Sequence, residues 1–192
     1  MEISKAIKDS IEVKEKILNN PELIQAIRKA ADFCIETYRD YDGKVLFCGN
    51  GGSAADAQHL AAELSGRFYY DRDPLNAEAL HVNTSFLTAV ANDYSYDDIY
   101  LRMIKGSGKK GDVLIGISTS GNSENVLRAL QQAKKQGMKT IAMTGESGGK
   151  MANIADLTIK APSQDTPRIQ EAHIMIGHII CEIIESSLFP RN

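Results

Sequence analysis

Asp112-Val113-Leu114-Ile115-Gly116-Ile117-Ser118-Thr119-Ser120-Gly121-Asn122-Ser123 joins a short apolar run to a loop of hydroxyls and one glycine. Upstream, Lys44-Val45-Leu46-Phe47-Cys48 runs in the same way into Gly49-Asn50-Gly51-Gly52-Ser53. A strand without polar alternation is covered on both faces, as in parallel sheets flanked by helices. Working outward from these runs, a helical pattern is expected over residues 54–68, a strand over 77–82 and a short helix over 85–91. After the serine loop come a helix over 124–136, ended by Gly137, strands over 139–144 and 157–160, and a last helix over 167–188. Residues 69–76 are polar and read as a loop. The expected architecture is α/β: one domain with a doubly wound, mostly parallel five-stranded sheet.

Ahead of this body lie two amphipathic patterns. Ile3, Ile7, Ile11, Val13, Ile17 and Leu18 space as one helical face. Asn19-Asn20-Pro21 breaks it, with Pro21 suited to a first helical position, and a second helix follows to about residue 38. Residues 1–40 are therefore expected as a helical extension that packs in an oligomer, with residues 41–192 as the body.

Composition narrows the classes. The chain has 192 residues, 43% hydrophobic and 24% charged, enough for a sizeable core. A net charge of −3 writes no general affinity for nucleic acid into the balance. No apolar run approaches the ~18–20 residues of a membrane span, and the first residues lack the apolar core of a signal peptide. No membrane or nucleic-acid partner and a cytoplasmic location are the expectations. Cys34, Cys48 and Cys181 include no CxxC pair, so free thiols are expected.

Glycine- and serine-rich loops that open helices after strands offer free N–H groups and the positive end of a helix dipole. Ser118, Thr119, Ser120 and Ser123 add hydroxyl donors, good chemistry for a phosphate dianion. A plain helix cap is the competing reading. The first loop lacks the spacing of G-x-G-x-x-G and of a Walker loop, which counts against nucleotides. On the helices, His59 and Glu63 stand four apart and share a face, as do Gln170 and His178 across two such steps. Two imidazoles, a carboxylate and an amide make a zinc-type donor set, and equally make ordinary polar helix surfaces. Spacing within helices says nothing about contact between them.

The loops together with Ala57-Gln58-His59-Leu60-Ala61-Ala62-Glu63-Leu64, Ser65-Gly66-Arg67, Ala91-Asn92-Asp93, Gly148-Gly149-Lys150-Met151 and Arg168-Ile169-Gln170-Glu171 carry a resemblance. The chain is similar to the SIS (sugar isomerase) fold, and more closely resembles the bacterial phosphoheptose isomerases over nearly its whole length. The resemblance implies conversion of sedoheptulose 7-phosphate to D-glycero-D-manno-heptose 7-phosphate through an enediol, within lipopolysaccharide heptose synthesis. It implies one zinc per subunit on His59, Glu63, Gln170 and His178, with Glu63 as general base and His178 as general acid. It places the phosphorylated seven-carbon sugar on Asn50, Gly51, Gly52, Ser53, Glu63, Asn92, Asp93, Ser118, Thr119, Ser120, Ser123 and Gln170. It implies a homotetramer. A branch of the same fold binds the replication initiator DnaA as tetramers, and Leu188-Phe189-Pro190 resembles its ending. Glu63 and His178, which chemistry needs and a binding module does not, favour the enzyme. A phosphosugar-sensing regulator would carry a basic recognition helix, which the N-terminal helices do not offer.

Overall fold

Strands β1 (Val45–Gly49) and β3 (Val113–Ile117) are buried at every position, as their unbroken apolar runs require. The computed structural model describes residues 2–191. In chain order its elements are α1 (Ile3–Leu18), α2 (Pro21–Asp40), β1, α3 (Gly52–Ser65), β2 (Ala77–Ala79), α4 (Thr84–Asp93), α5 (Ile99–Ser107), β3, α6 (Glu124–Lys135), β4 (Lys139–Thr144), β5 (Leu157–Lys160) and α7 (Thr166–Leu188). Short 3-10 turns at Tyr96–Asp98 and Lys150–Asn153 complete it.

The five strands lie in the order β2-β1-β3-β4-β5, and every pair is parallel. The sheet is thus wholly rather than mostly parallel. Successive side chains of β1 and β3 alternate between its faces. Val45, Phe47, Val113 and Ile115 join one core with α2, α3 and α7. Leu46, Cys48 and Leu114 join the other with α5 and α6. The chain leaves β1 in one direction and returns past it to β3, so the order reverses between those two strands. In open α/β sheets that crevice, beyond the carboxyl ends, is where ligands bind.

Three sequence expectations change. Strand β2 stops at Ala79, not 82, because the chain turns there with the Val82 N–H on the Ala79 carbonyl (3.3 Å). Helix α3 begins at Gly52 and ends at Ser65 rather than near 68. Helix α5 was not expected at all; its nine residues bury Ile99, Tyr100 and Ile104. Of the expected N-terminal extension, α2 packs into the core through Leu23, Ile27, Ala30, Ala31, Cys34 and Ile35, while α1 carries Ile3, Ile7 and Ile11 exposed. Asn20 caps α2 from the Leu23 N–H (3.0 Å), and Pro21 is its first residue. Cys34, Cys48 and Cys181 are free and buried. Among the described residues no helix is long and apolar enough to cross a membrane.

Candidate active site

The two loops after β1 and β3 stand side by side, since Gly49 is the register partner of Ile117. Gly51 turns the first loop into α3 at φ 55° and ψ −123°, a conformation that glycine alone enters freely. No side chain caps α3. In the second loop Gly121 takes φ 66° and its N–H closes a turn on the Ser118 carbonyl (3.0 Å). Ser123 occupies the cap position of α6 but makes no cap bond. Its hydroxyl turns instead to Ser118 Oγ at 2.9 Å, and Ser118 Oγ lies 3.4 Å from Ser120 Oγ. Three hydroxyls thus gather beside the uncapped start of a helix, an arrangement whose donors can meet an anion. Thr119 belongs to the same loop, and its carbonyl accepts the Gly145 N–H (3.0 Å). The loop is seated on residues 145–151, where the Met151 N–H meets the Gly121 carbonyl and the Lys150 N–H meets Asn122 Oδ1, both at 3.0 Å.

Helices α3 and α7 run parallel and in contact. Gly52 lies against the Gln170 amide and Gly177 against Leu60, so closely that a Cβ at either glycine would come within 2.5 Å of its neighbour. This register brings His59 Nε2 to 2.9 Å from His178 Nε2 and 3.2 Å from Glu63 Oε1. The donor atoms of the three residues lie within 4.8 Å of one another. Two nitrogens bound to one tetrahedral zinc stand about 3.3 Å apart, given bonds of about 2.0–2.1 Å. The observed spacing is a few tenths of an ångström closer, and His2Glu is a donor set known from catalytic zinc sites. These residues fit such an ion. Phe68 tilts against the His178 ring, with centroids 5.8 Å apart. One turn before His59, burial raises the Asp56 carboxyl above its ordinary value, opposed by the His59 charge.

Not every expected residue joins these groups. Gln170 is a little over two turns before His178 on α7, about 12 Å along the axis, at the mouth of the first loop. Ser53 is buried in the first turn of α3. Asn92 and Asp93 are exposed at the end of α4, where Asn92 Nδ2 donates to Asp93 Oδ1 (2.9 Å). Asn50 spends its amide on protein partners: Asn125, and the Tyr96 hydroxyl at 3.2 Å. Asn125, Tyr96 and Tyr100, whose hydroxyl donates to the Gly49 carbonyl, hold the first loop and were missed by sequence reasoning. None belongs to a spaced motif; only the fold brings them to the first loop, so no signal in the sequence marks them.

Comparison with known proteins agrees with this frame. The SIS domain family matches residues 7–145. The phosphoheptose isomerase of Clostridium acetobutylicum is 54% identical over 190 residues, covering 99% of this chain and 96% of its own. That of Sulfurimonas denitrificans is 51% identical over 187 residues, covering 97% and 95%. The solved phosphoheptose isomerase of Neisseria gonorrhoeae superposes with a TM-score of 0.89 at 42% identity, over 96% of this chain and 97% of that one. The one from Francisella tularensis gives 0.91 at 38% identity, over 96% of each. The chain belongs to the SIS domain family and, within it, to the phosphoheptose isomerases.

Proposed function

We propose that this chain interconverts sedoheptulose 7-phosphate and D-glycero-D-manno-heptose 7-phosphate, an aldose–ketose isomerisation that opens ADP-heptose synthesis for lipopolysaccharide. One observation carries the reading. A carboxylate and two imidazoles converge on α3 and α7, and both helices border the loop pair that holds the serine hydroxyls. The sugar phosphate sits on Ser118, Thr119, Ser120 and Ser123 and on the N–H groups that open α6. Its sugar end extends past Asn50, Gly51, Gly52 and Ser53 toward Glu63, with Gln170 beside Gly52 and with Asn92 and Asp93 at the rim.

Isomerisation moves one hydrogen between neighbouring carbons. Glu63 takes the proton from the carbon beside the carbonyl, and His178 gives a proton to the carbonyl oxygen, which leaves a neutral enediol. Glu63 then returns its proton to the former carbonyl carbon while His178 recovers one from the other hydroxyl. Protons balance, and both groups end as they began. Glu63 presents Oε1 and His178 presents Nε2 to His59, so the second carboxylate oxygen and His178 Nδ1 are assigned this work. His59, Glu63 and His178 would hold one zinc per subunit. When bound, the ion supplies Lewis-acid polarisation of the sugar carbonyl. Gln170, implied as a fourth ligand by family resemblance, lies where an amide serves the substrate better.

A homotetramer in the cytoplasm completes the proposal. In its support, Ile24 and Ile179 are exposed over a groove that Ile17, Leu18, Met175 and Ile183 also line. The DnaA-binding alternative gains nothing from the Leu188-Phe189-Pro190 ending. Phe189 is engaged within the chain, its carbonyl accepting the Tyr70 hydroxyl at 2.7 Å. The deciding experiment is turnover of sedoheptulose 7-phosphate with chelation and zinc add-back. Conversion that falls on chelation and returns with zinc is expected; no conversion by a folded oligomer overturns the assignment.

A further inference from the structure

Arg72 and Glu185 form an ion pair sealed from water, with side chains 2% and 1% exposed and Nε to Oε1 at 3.1 Å. Neither residue belongs to any motif discussed above. Glu185 also accepts the backbone N–H of Phe68 on Oε1 (3.0 Å) and of Tyr69 on Oε2 (2.8 Å). Arg72 Nη2 donates to the carbonyl of Glu63 itself (2.8 Å). Its Nη1 donates to the carbonyls of Leu64 (2.8 Å), Gly66 and Asp73 (both 2.9 Å). Every partner but Asp73 lies in the last turn of α3 or just beyond it.

A buried ion pair is weak evidence for stability, because desolvation offsets much of the attraction. Its geometry says more. The last carbonyls of a helix have no partner within it. Here a rigid guanidinium fork takes those of α3, including that of Glu63, and hands the charge to α7. Glu185 lies seven residues after His178, two turns along the same face. The fork therefore references the backbone of Glu63 directly to the helix that carries His178. Gly52 on Gln170 and Leu60 on Gly177 fix the other points of the helix pair by packing alone. The charged clamp lies on the C-terminal side of the converging donors on both helices, and its hydrogen bonds are directional where the packed contacts are not.

We propose that Arg72 and Glu185 are a positioning pair that holds His59 and Glu63 on α3 at ligating distance from His178 on α7. This rests on the metal-site reading above. Arg72→Lys keeps the charge and loses the fork, and Glu185→Gln keeps the shape and loses the charge. Cobalt(II) is the probe, because its visible bands report coordination geometry independently of turnover. In folded variants the cobalt dissociation constant is expected to rise about 10–100-fold, the range found for groups that orient metal ligands. The visible bands should shift, and kcat should fall with little change in KM. Folded variants that bind cobalt within about twofold of wild type, with superimposable spectra, overturn the positioning role. Loss of fold in both variants also overturns it, by assigning the pair to the fold alone. Wild-type protein that takes up no cobalt, in a test where His59→Ala is the negative control, overturns the metal reading and the positioning with it.

Discussion

Asn50 and Asn125 exchange both halves of their amides: each Nδ2 donates to the other's Oδ1 at 2.9 Å. The first residue precedes α3 and the second lies in the first turn of α6, so one pair ties the glycine loop to the serine loop. Asn125 is 2% exposed, and Asn50 Oδ1 also accepts the Tyr96 hydroxyl. An expected substrate contact is in this structure a connector between the two halves of the ligand crevice.

Asn125→Ala should accordingly weaken the crevice without touching the His59–His178 end. It leaves the half-buried Asn50 Nδ2 without its acceptor, while Oδ1 keeps the Tyr96 hydroxyl, at a cost of about 1–3 kcal/mol. The expected kinetic effect is a KM for the sugar phosphate raised about tenfold, equal to about 1.4 kcal/mol. Zinc affinity should be unchanged. Steady-state kinetics and a chelator competition check both, and a variant that loses zinc as well would show that the crevice and the His59–His178 end do not act separately.

Gly177→Ala pits two effects against each other. Alanine is the better helix former by about 1 kcal/mol. The new methyl, however, would sit 2.5 Å from Leu60 Cδ1, and overpacking of this kind costs about 1–3 kcal/mol. The clash should win, because Leu60 is itself buried and the methyl would meet its Cδ1, Cδ2 and Cγ at 2.5, 2.6 and 3.1 Å, so turning one branch away does not clear it. Net destabilisation is expected, and combining it with Leu60→Ala should lose less than the two single losses added. Urea unfolding of the four proteins closes the cycle; strict additivity would mean that the helices do not meet there.

Glu63→Gln should retain the fold and the elution volume of the wild type yet lose turnover by about 10²–10⁴-fold, the contribution general for positioned acid–base groups. Far-UV circular dichroism and size exclusion guard the comparison, and the sedoheptulose 7-phosphate assay reads it. Activity near wild type would remove Glu63 from the proton path.

Legibility in the sequence followed the physics of each element. Strands β1 and β3 announced themselves because total burial leaves no polar residue in the run. The serine loop was readable because its hydroxyls stand close together in sequence. His59 and Glu63 were readable as a pair, being one turn apart; their meeting with His178 came from the family resemblance alone, because helix spacing carries no information about a second helix. Helix α5 escaped although Ile99, Tyr100, Met103 and Ile104 space as one face, because no side chain caps its start, whereas Asn83 marks that of α4. Strand β2 was overextended because, pairing on one side only, it ends where a turn begins, not where apolar residues end. Arg72 and Glu185, 113 positions apart, resemble any surface charge until the fold buries them together.

The remaining histidine of α7 yields a prediction about stability. His173 is fully buried, and its Nε2 lies 3.0 Å from the Thr144 carbonyl, while Nδ1 has no partner among the described residues. Burial pushes the imidazole down to about 4, against a smaller upward pull from the Thr144 carbonyl. In the unfolded chain it titrates near 6.5. Between those values the unfolded chain binds a proton that the native one refuses, so acidification favours unfolding. The stabilisation is whole above about pH 6.5 and is lost as pH falls toward 4, by about 3 kcal/mol across the window. His173→Gln keeps a donor for the Thr144 carbonyl and does not titrate. Urea midpoints taken at neutral pH and at steps down to about pH 4.5 should fall more steeply for wild type than for the variant. Parallel curves would show that the native protein accepts the proton after all, and that His173 is not sealed from solvent.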